Sequence, residues 1–216
     1  MKLSRRAFAL ALLIAAAGLA SPVEAQQSLT RPPWASAPPT AKGNAPLPTR
    51  ADTHVYLLRG LFGVFSLGLD KLAQELVARG YTAEIQNWDD AETVIQQVTA
   101  RASGGHTGPV VLIGHSLGAN AVIEVATAVS ARGVPIVLGV TFDATEPGPV
   151  PDNVAVFINF WAKDGFGRPV QAVPGYGGQL ENFDLSEVPD ISHTSIDTMD
   201  RFHQFVITTL DSMTRH

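Results

Sequence analysis

Apolar residues fall in two alternating rhythms from residue 54 onward. The runs HVYLL (54–58), PVVLIG (109–114), PIVLGVTF (135–142) and VAVFINFW (154–161) have the length and β-branched content of strands covered on both faces. YTAEI (81–85) reads as a shorter strand. Between these runs the apolar positions are spaced as on helices. Leu69, Leu72, Ala73, Leu76 and Val77 form one face, ended by Gly80. Asp89 and Glu92 have the spacing of a capping box and open a helix with Val94, Ile95 and Val98 inside, stopped at Gly104-Gly105. A third helix follows Ser116, buries Leu117, Ala121, Val122, Val125 and Val129, and ends near Gly133. Thr194 or Ser195 opens a last one, with Ile196, Met199, Phe205, Val206 and Leu210 on one side. The stretch from Gly165 to Pro189 has neither rhythm and reads as one long irregular loop. Strands alternating with helices predict an α/β fold: a doubly wound, mostly parallel sheet with helices on both faces and its ligand site at the carboxyl ends of the strands.

The first fifty residues follow neither rhythm. MKLSRR is basic, AFALALLIAAAGLA is a short apolar run, and Val23-Glu24-Ala25 fits the small-residue rule for cleavage, so residues 1–25 read as a signal peptide. Arg5-Arg6 fits twin-arginine export and general secretion equally. The run is too short and Ala-rich to be expected to stay in a membrane as a span. Residues 26–51, rich in Pro, Ala, Ser and Thr, read as an exposed linker. The folded domain is then expected over residues 52–216, long enough for one real core. An exported protein, periplasmic or secreted, is the expectation.

Composition narrows the chemistry. The formal charge of −5 becomes −7 once Lys2, Arg5, Arg6 and Glu24 leave with the signal, and no basic patch remains, so nucleic acid is not an expected partner. The absence of cysteine excludes disulfides, thiolate catalysis and cysteine metal sites. The histidines do not cluster with carboxylates at ligand spacing, and no metal or cofactor is expected.

One short segment carries a chemical signal. In Gly114-His115-Ser116-Leu117-Gly118 a single serine sits where a strand becomes a helix, with glycine two residues to either side. A tight turn there strains the serine backbone, and side chains at the flanking positions would collide with neighbouring chain. In return the hydroxyl stands proud at the top of the sheet, at the positive end of a helix dipole. A strand before G-x-S-x-G and a helix after it make the motif far more specific than the five residues alone.

GHSLG in this setting resembles the nucleophile elbow of the α/β-hydrolase superfamily, in particular its lipases, esterases and thioesterases, and the resemblance runs from His54 to about Leu210. It implies a small α/β-hydrolase fold without a large cap, with Ser116 as nucleophile followed along the chain by an acid and then a histidine. His193, in a loop before the last helix, stands where the superfamily places its base. His54, His106, His203 and His216 are less well placed, and His115, inside the elbow, is expected to be structural and to point away from the cleft. For the acid, GVTFDATEP resembles the segment in which pancreatic-type lipases carry theirs one strand early, which implies Asp143; Asp164, after the next strand, is the alternative. Asp184, Asp190 and Asp197 are weaker candidates. The oxyanion hole is expected from the backbone N–H groups of Leu117 and Leu61, with Phe62 second to Leu61; Arg59 stands where the superfamily's loop usually has histidine.

Phe62, Phe166 and Tyr176 are expected to line the substrate pocket; Phe65 and Trp161 read equally well as core. The resemblance implies an exported serine hydrolase acting on a small-molecule carboxylic ester or thioester. The alternatives are a catalytically silent binding protein on the same scaffold, or an amide or C–C bond hydrolase.

Overall fold

The computed structural model describes residues 47–61, 66–106, 108–163 and 166–215. Their elements run β1 (His54–Arg59), α1 (Leu67–Ala78), β2 (Thr82–Asn87), α2 (Ala91–Ser103), β3 (Val110–His115), α3 (Leu117–Ser130), β4 (Ile136–Phe142), β5 (Val154–Trp161), β6 (Gln179–Asp184) and α4 (Asp200–Met213). Among the described residues six strands form one sheet in the order β2-β1-β3-β4-β5-β6, every neighbour parallel.

Alternation along each strand divides the core in two. Val55 and Leu57 of β1 face α1 and α4, with Leu69, Leu72, Phe202 and Leu210. Tyr56 and Leu58 face α2 and α3, with Val94, Val98, Val122 and Val125. Both strand faces are therefore buried, which is why the central strands read as unbroken apolar runs. All of these side chains are 1% exposed or less, and truncating such a leucine to alanine costs roughly 2–5 kcal/mol.

Three local expectations are corrected. A 3-10 turn over Trp88–Asp90 precedes α2, so the acidic cap falls two residues early: Asp90 accepts from the Asn87 N–H at 3.0 Å, in place of an Asp89–Glu92 box. Residues 47–51, read as the end of the linker, join the folded unit through paired backbone bonds with Arg215 (Arg50 N–H to its carbonyl, 3.0 Å; its N–H to Pro48, 2.8 Å).

The third concerns the 165–189 stretch, which contains a strand. β6 is an edge strand with every residue half-buried, so it shows no apolar run. Its place is fixed across the sheet by two ladders in register. Thr141, Asn159 and Asn182 form a polar one, with bonds of 2.8 and 2.9 Å. Phe142, Phe160 and Phe183 stack at 5.3 Å spacing. Residues 1–46, which hold the expected signal peptide and most of the expected linker, lie outside the described residues.

Candidate active site

β3 delivers Ser116 to the carboxyl edge of the sheet with φ 58° and ψ −122°, a region costly for any residue with a Cβ. The flanking glycines are required by contact. A Cβ on Gly114 would lie 2.3 Å from the Gly118 carbonyl oxygen, and one on Gly118 would lie 2.0 Å from that of Leu58. The first turn of α3 thus presses directly on β1 and β3, and the serine is forced outward. Leu117 opens α3, so its N–H has no carbonyl a turn earlier to bond.

The neighbouring strand β4 ends at Phe142 and is followed by Asp143, also at positive φ (54°) and fully buried. Its Oδ1 accepts from the Ala162 N–H at 3.0 Å, and its Oδ2 from the Phe166 N–H at 3.3 Å. Gly167 lets the chain close on this carboxylate, since a Cβ there would lie 1.9 Å from Oδ1.

His193 stands between the two. Its Nδ1 is 2.6 Å from Asp143 Oδ2 and its Nε2 is 2.9 Å from Ser116 Oγ. The ring of Phe166 meets the imidazole edge-on at 5.0 Å. Nδ1–H donates to the carboxylate, which leaves the Nε2 lone pair free to accept from the serine hydroxyl. A hydroxyl, an imidazole and a carboxylate in this line can pass a proton from oxygen to nitrogen while the resulting charge is held.

A cavity of about 390 Å3 opens over Ser116, bordered by Gly60, Leu61, Ser66, His115, Leu117, Thr145, Phe166, His193 and Thr194. Leu61 and Phe166 stand at its mouth, 44% and 64% exposed. Two pocket expectations change. Tyr176 lies elsewhere: it packs against the α2/α3 side of the core and donates to the Gln179 carbonyl at 3.4 Å, just before β6 begins. A parallel connection has to return from the carboxyl edge to the amino edge before the next strand starts, and that return carries Tyr176 away from the cleft. Leu117, expected in the core, is half-buried and borders the cavity. Phe62, Phe65 and Asp164 lie outside the described residues.

Several contributors have no mark in the sequence. His115 borders the cavity instead of pointing away from it. Its Nε2 donates to the His193 carbonyl at 2.7 Å and its Nδ1 lies 2.8 Å from Ser66 Oγ. Burial lowers its pKa to about 4. Arg59 pairs with Asp70 on α1 along one guanidinium edge, Nε and Nη2 each donating to one carboxylate oxygen. Asp197 is fully buried, faces the Gly68 and Leu69 N–H groups at the start of α1 without reaching bonding geometry, and is raised by burial to about 7. Among the described residues no group of three or more His, Cys, Asp or Glu is placed to hold a metal ion, and no helix is long and apolar enough to cross a membrane.

No family model and no curated protein sequence matches the chain. Solved structures do match. Human thioesterase 2 superposes with a TM-score of 0.53 at 11% identity, over 76% of this chain and 98% of that one. The type II thioesterase BorB from the borrelidin biosynthetic cluster superposes with a TM-score of 0.51 at 14% identity, over 82% and 98%. With its six-stranded parallel sheet and helices on both faces, the chain has the α/β-hydrolase fold.

Proposed function

We propose that this protein is an exported serine hydrolase that cleaves a small-molecule carboxylic ester or thioester through an acyl-enzyme. The observation that carries this reading is the continuous line Ser116 Oγ–His193 Nε2, His193 Nδ1–Asp143 Oδ2, at 2.9 and 2.6 Å, opening into a cavity. The hydroxyl attacks the substrate carbonyl while His193 takes its proton. Asp143 keeps the imidazole in the tautomer that can accept and supports its positive charge. The oxyanion forms at the amino end of α3, stabilised by the N–H groups of Leu117 and Leu61. The Gly60 N–H already donates to Ser66 Oγ at 3.0 Å, which is why Leu61 is assigned the second oxyanion donor. His193 then protonates the departing alcohol or thiol; a water that gives its proton to His193 attacks the acyl carbonyl next, and collapse releases the carboxylic acid as His193 returns that proton to Ser116 Oγ.

The cavity supports a small, neutral acyl group: among the described residues on its border, the two histidines alone carry an ionisable side chain. The two thioesterases that share the fold make thioesters as reasonable a substrate as oxygen esters. Turnover of a graded series of p-nitrophenyl esters and acyl thioesters tests the reading, with Ser116→Ala as control. Turnover lost in the variant supports it; equal turnover in both, or none in either, rejects it. Export is tested separately, by fractionating cells and sequencing the amino terminus, which is expected to begin at Gln26.

A further inference from the structure

Ser66 precedes α1 in the position where a serine ordinarily caps a helix. Here its hydroxyl makes no cap bond. It accepts from the Gly60 N–H at 3.0 Å and reaches His115 Nδ1 at 2.8 Å, and it is fully buried. The bare first turn of α1 is covered instead by the Asp197 carboxyl, four residues beyond His193. A capping residue turned away from its own helix is unexplained by the fold alone.

The protons along this chain can be assigned. The His193 carbonyl can only accept, so His115 Nε2 carries the hydrogen. The buried imidazole is neutral at pH 7, so Nδ1 holds a lone pair and the Ser66 hydroxyl donates to it. Ser66 Oγ in turn accepts from Gly60, so its hydroxyl serves as acceptor and donor at once and every bond of the chain points the same way. The bonds therefore run Gly60 N–H to Ser66, Ser66 to His115, and His115 to the backbone of His193. They join the residue before the Leu61 N–H to the residue that carries the imidazole. Sequence separations of 49 and 78 residues along the last two links mean that no local element could hold these parts together.

We propose that Ser66 and His115 are positioning residues that lock the Gly60-Leu61 turn and the His193 loop into one unit, so that oxyanion donor and base are set in register. The proposal rests on the roles given to Leu61 and His193 above. Both border the cavity, and the His115 ring also meets the His193 imidazole at 5.0 Å; the bonds by which they position these parts run to the backbone and to each other.

The test compares Ser66→Ala, Ser66→Thr, His115→Gln, His115→Asn and His115→Leu in the full chain. The readouts are kcat and KM on p-nitrophenyl butyrate, thermal unfolding, and the low-field proton resonance of the His193 Nδ1–H. Displacing a reacting group by an ångström can cost about 10²-fold, so Ser66→Ala is expected to lower kcat by about that much with KM little changed and the resonance shifted. Ser66→Thr keeps the hydroxyl and restores turnover. In His115→Gln the amide nitrogen falls where Nε2 was and keeps the link to His193. In His115→Asn it falls where Nδ1 was and loses that link. Gln is therefore expected to retain more turnover than Asn.

Folded Ser66→Ala and His115→Asn variants with wild-type kcat and an unmoved resonance overturn the proposal, as does a loss of thermal stability alone. These two milder variants decide the matter if His115→Leu does not fold. Should the wild type turn over no ester or thioester, the function above fails. The resonance then decides the positioning claim by itself: a shift in Ser66→Ala supports it and none refutes it.

Discussion

Ser116 leaves β3 at φ 58° and Asp143 leaves the adjacent β4 at φ 54°, so two neighbouring strands end in the same backbone strain. The surroundings of the two turns differ. At Ser116 the strain is held by close packing of bare backbone, Gly118 against Leu58 and Gly114 against Gly118, and the hydroxyl is left to the cavity and His193. At Asp143 it is held by the side chain itself: both carboxylate oxygens accept backbone N–H groups from the loop after β5, and none of the side chain is exposed. One turn presents a hydroxyl to the cavity and the other immobilises a carboxylate beside the imidazole. A second buried carboxyl, Asp197, faces the Gly68 and Leu69 N–H groups without closing a hydrogen bond, and burial raises its pKa to about 7.

Removing the charge from the immobilised group breaks the comparison most severely. Asp143→Asn is expected to lower kcat by about 10⁴-fold, the loss typical of an imidazole left in the wrong tautomer. Asp164→Asn is expected to do far less, and steady-state kinetics on one ester separates the two. The next effect falls on the loop that closes over the carboxylate. Gly167→Ala places a Cβ against Asp143 Oδ1 and is expected to lower kcat by about 10²-fold, whereas Gly177→Ala, with open space around it, serves as the neutral control. The matching change at the serine turn, Gly118→Ala, drives a methyl into the Leu58 carbonyl and is expected to cost about 1–3 kcal/mol or more in urea unfolding.

The smallest effect is on stability against pH. Asp197 is raised from its ordinary 3.8 to about 7. The folded state then holds more protons than the unfolded one across that window, and stability from this group falls as pH rises through it. His115 is lowered from 6.5 to about 4, so its contribution is present above pH 6.5 and is lost as pH falls toward 4. The two slopes oppose each other between about 4 and 6.5. Asp197→Asn is expected to reveal the histidine, with Tm rising with pH in that range. His115→Gln is expected to reveal the carboxyl, with Tm falling. Parallel profiles in all three proteins would refute the assignment.

The two turns were not equally legible. The Ser116 turn is marked locally, because packing forces two glycines into a five-residue window. The Asp143 turn bears no comparable mark: the donors that saturate its carboxylate come from residues 162 and 166, and in the sequence it is favoured over Asp164 only by analogy and by its place at the end of an apolar strand. β1, β3, β4 and β5 were readable because burial on both faces leaves an apolar run. β6 was not, since an edge strand half-buried throughout takes Gln179, Glu181 and Asn182 without penalty, and its pairing is fixed by Asn159 and Phe160 on another strand. Tyr176 was misplaced because a loop's length does not reveal which edge of the sheet it passes. Ser66 looked like any serine before a helix, and its partner lies 49 residues away.

The most direct test of the central claim, that Ser116 is a hydroxyl activated by His193, is covalent labelling with a fluorophosphonate followed by peptide mass spectrometry. The account predicts one adduct, on Ser116, formed quickly by the wild type, slowly by Asp143→Asn, and not at all by Ser116→Ala. An adduct on another residue, or undiminished labelling of Ser116→Ala, would contradict it.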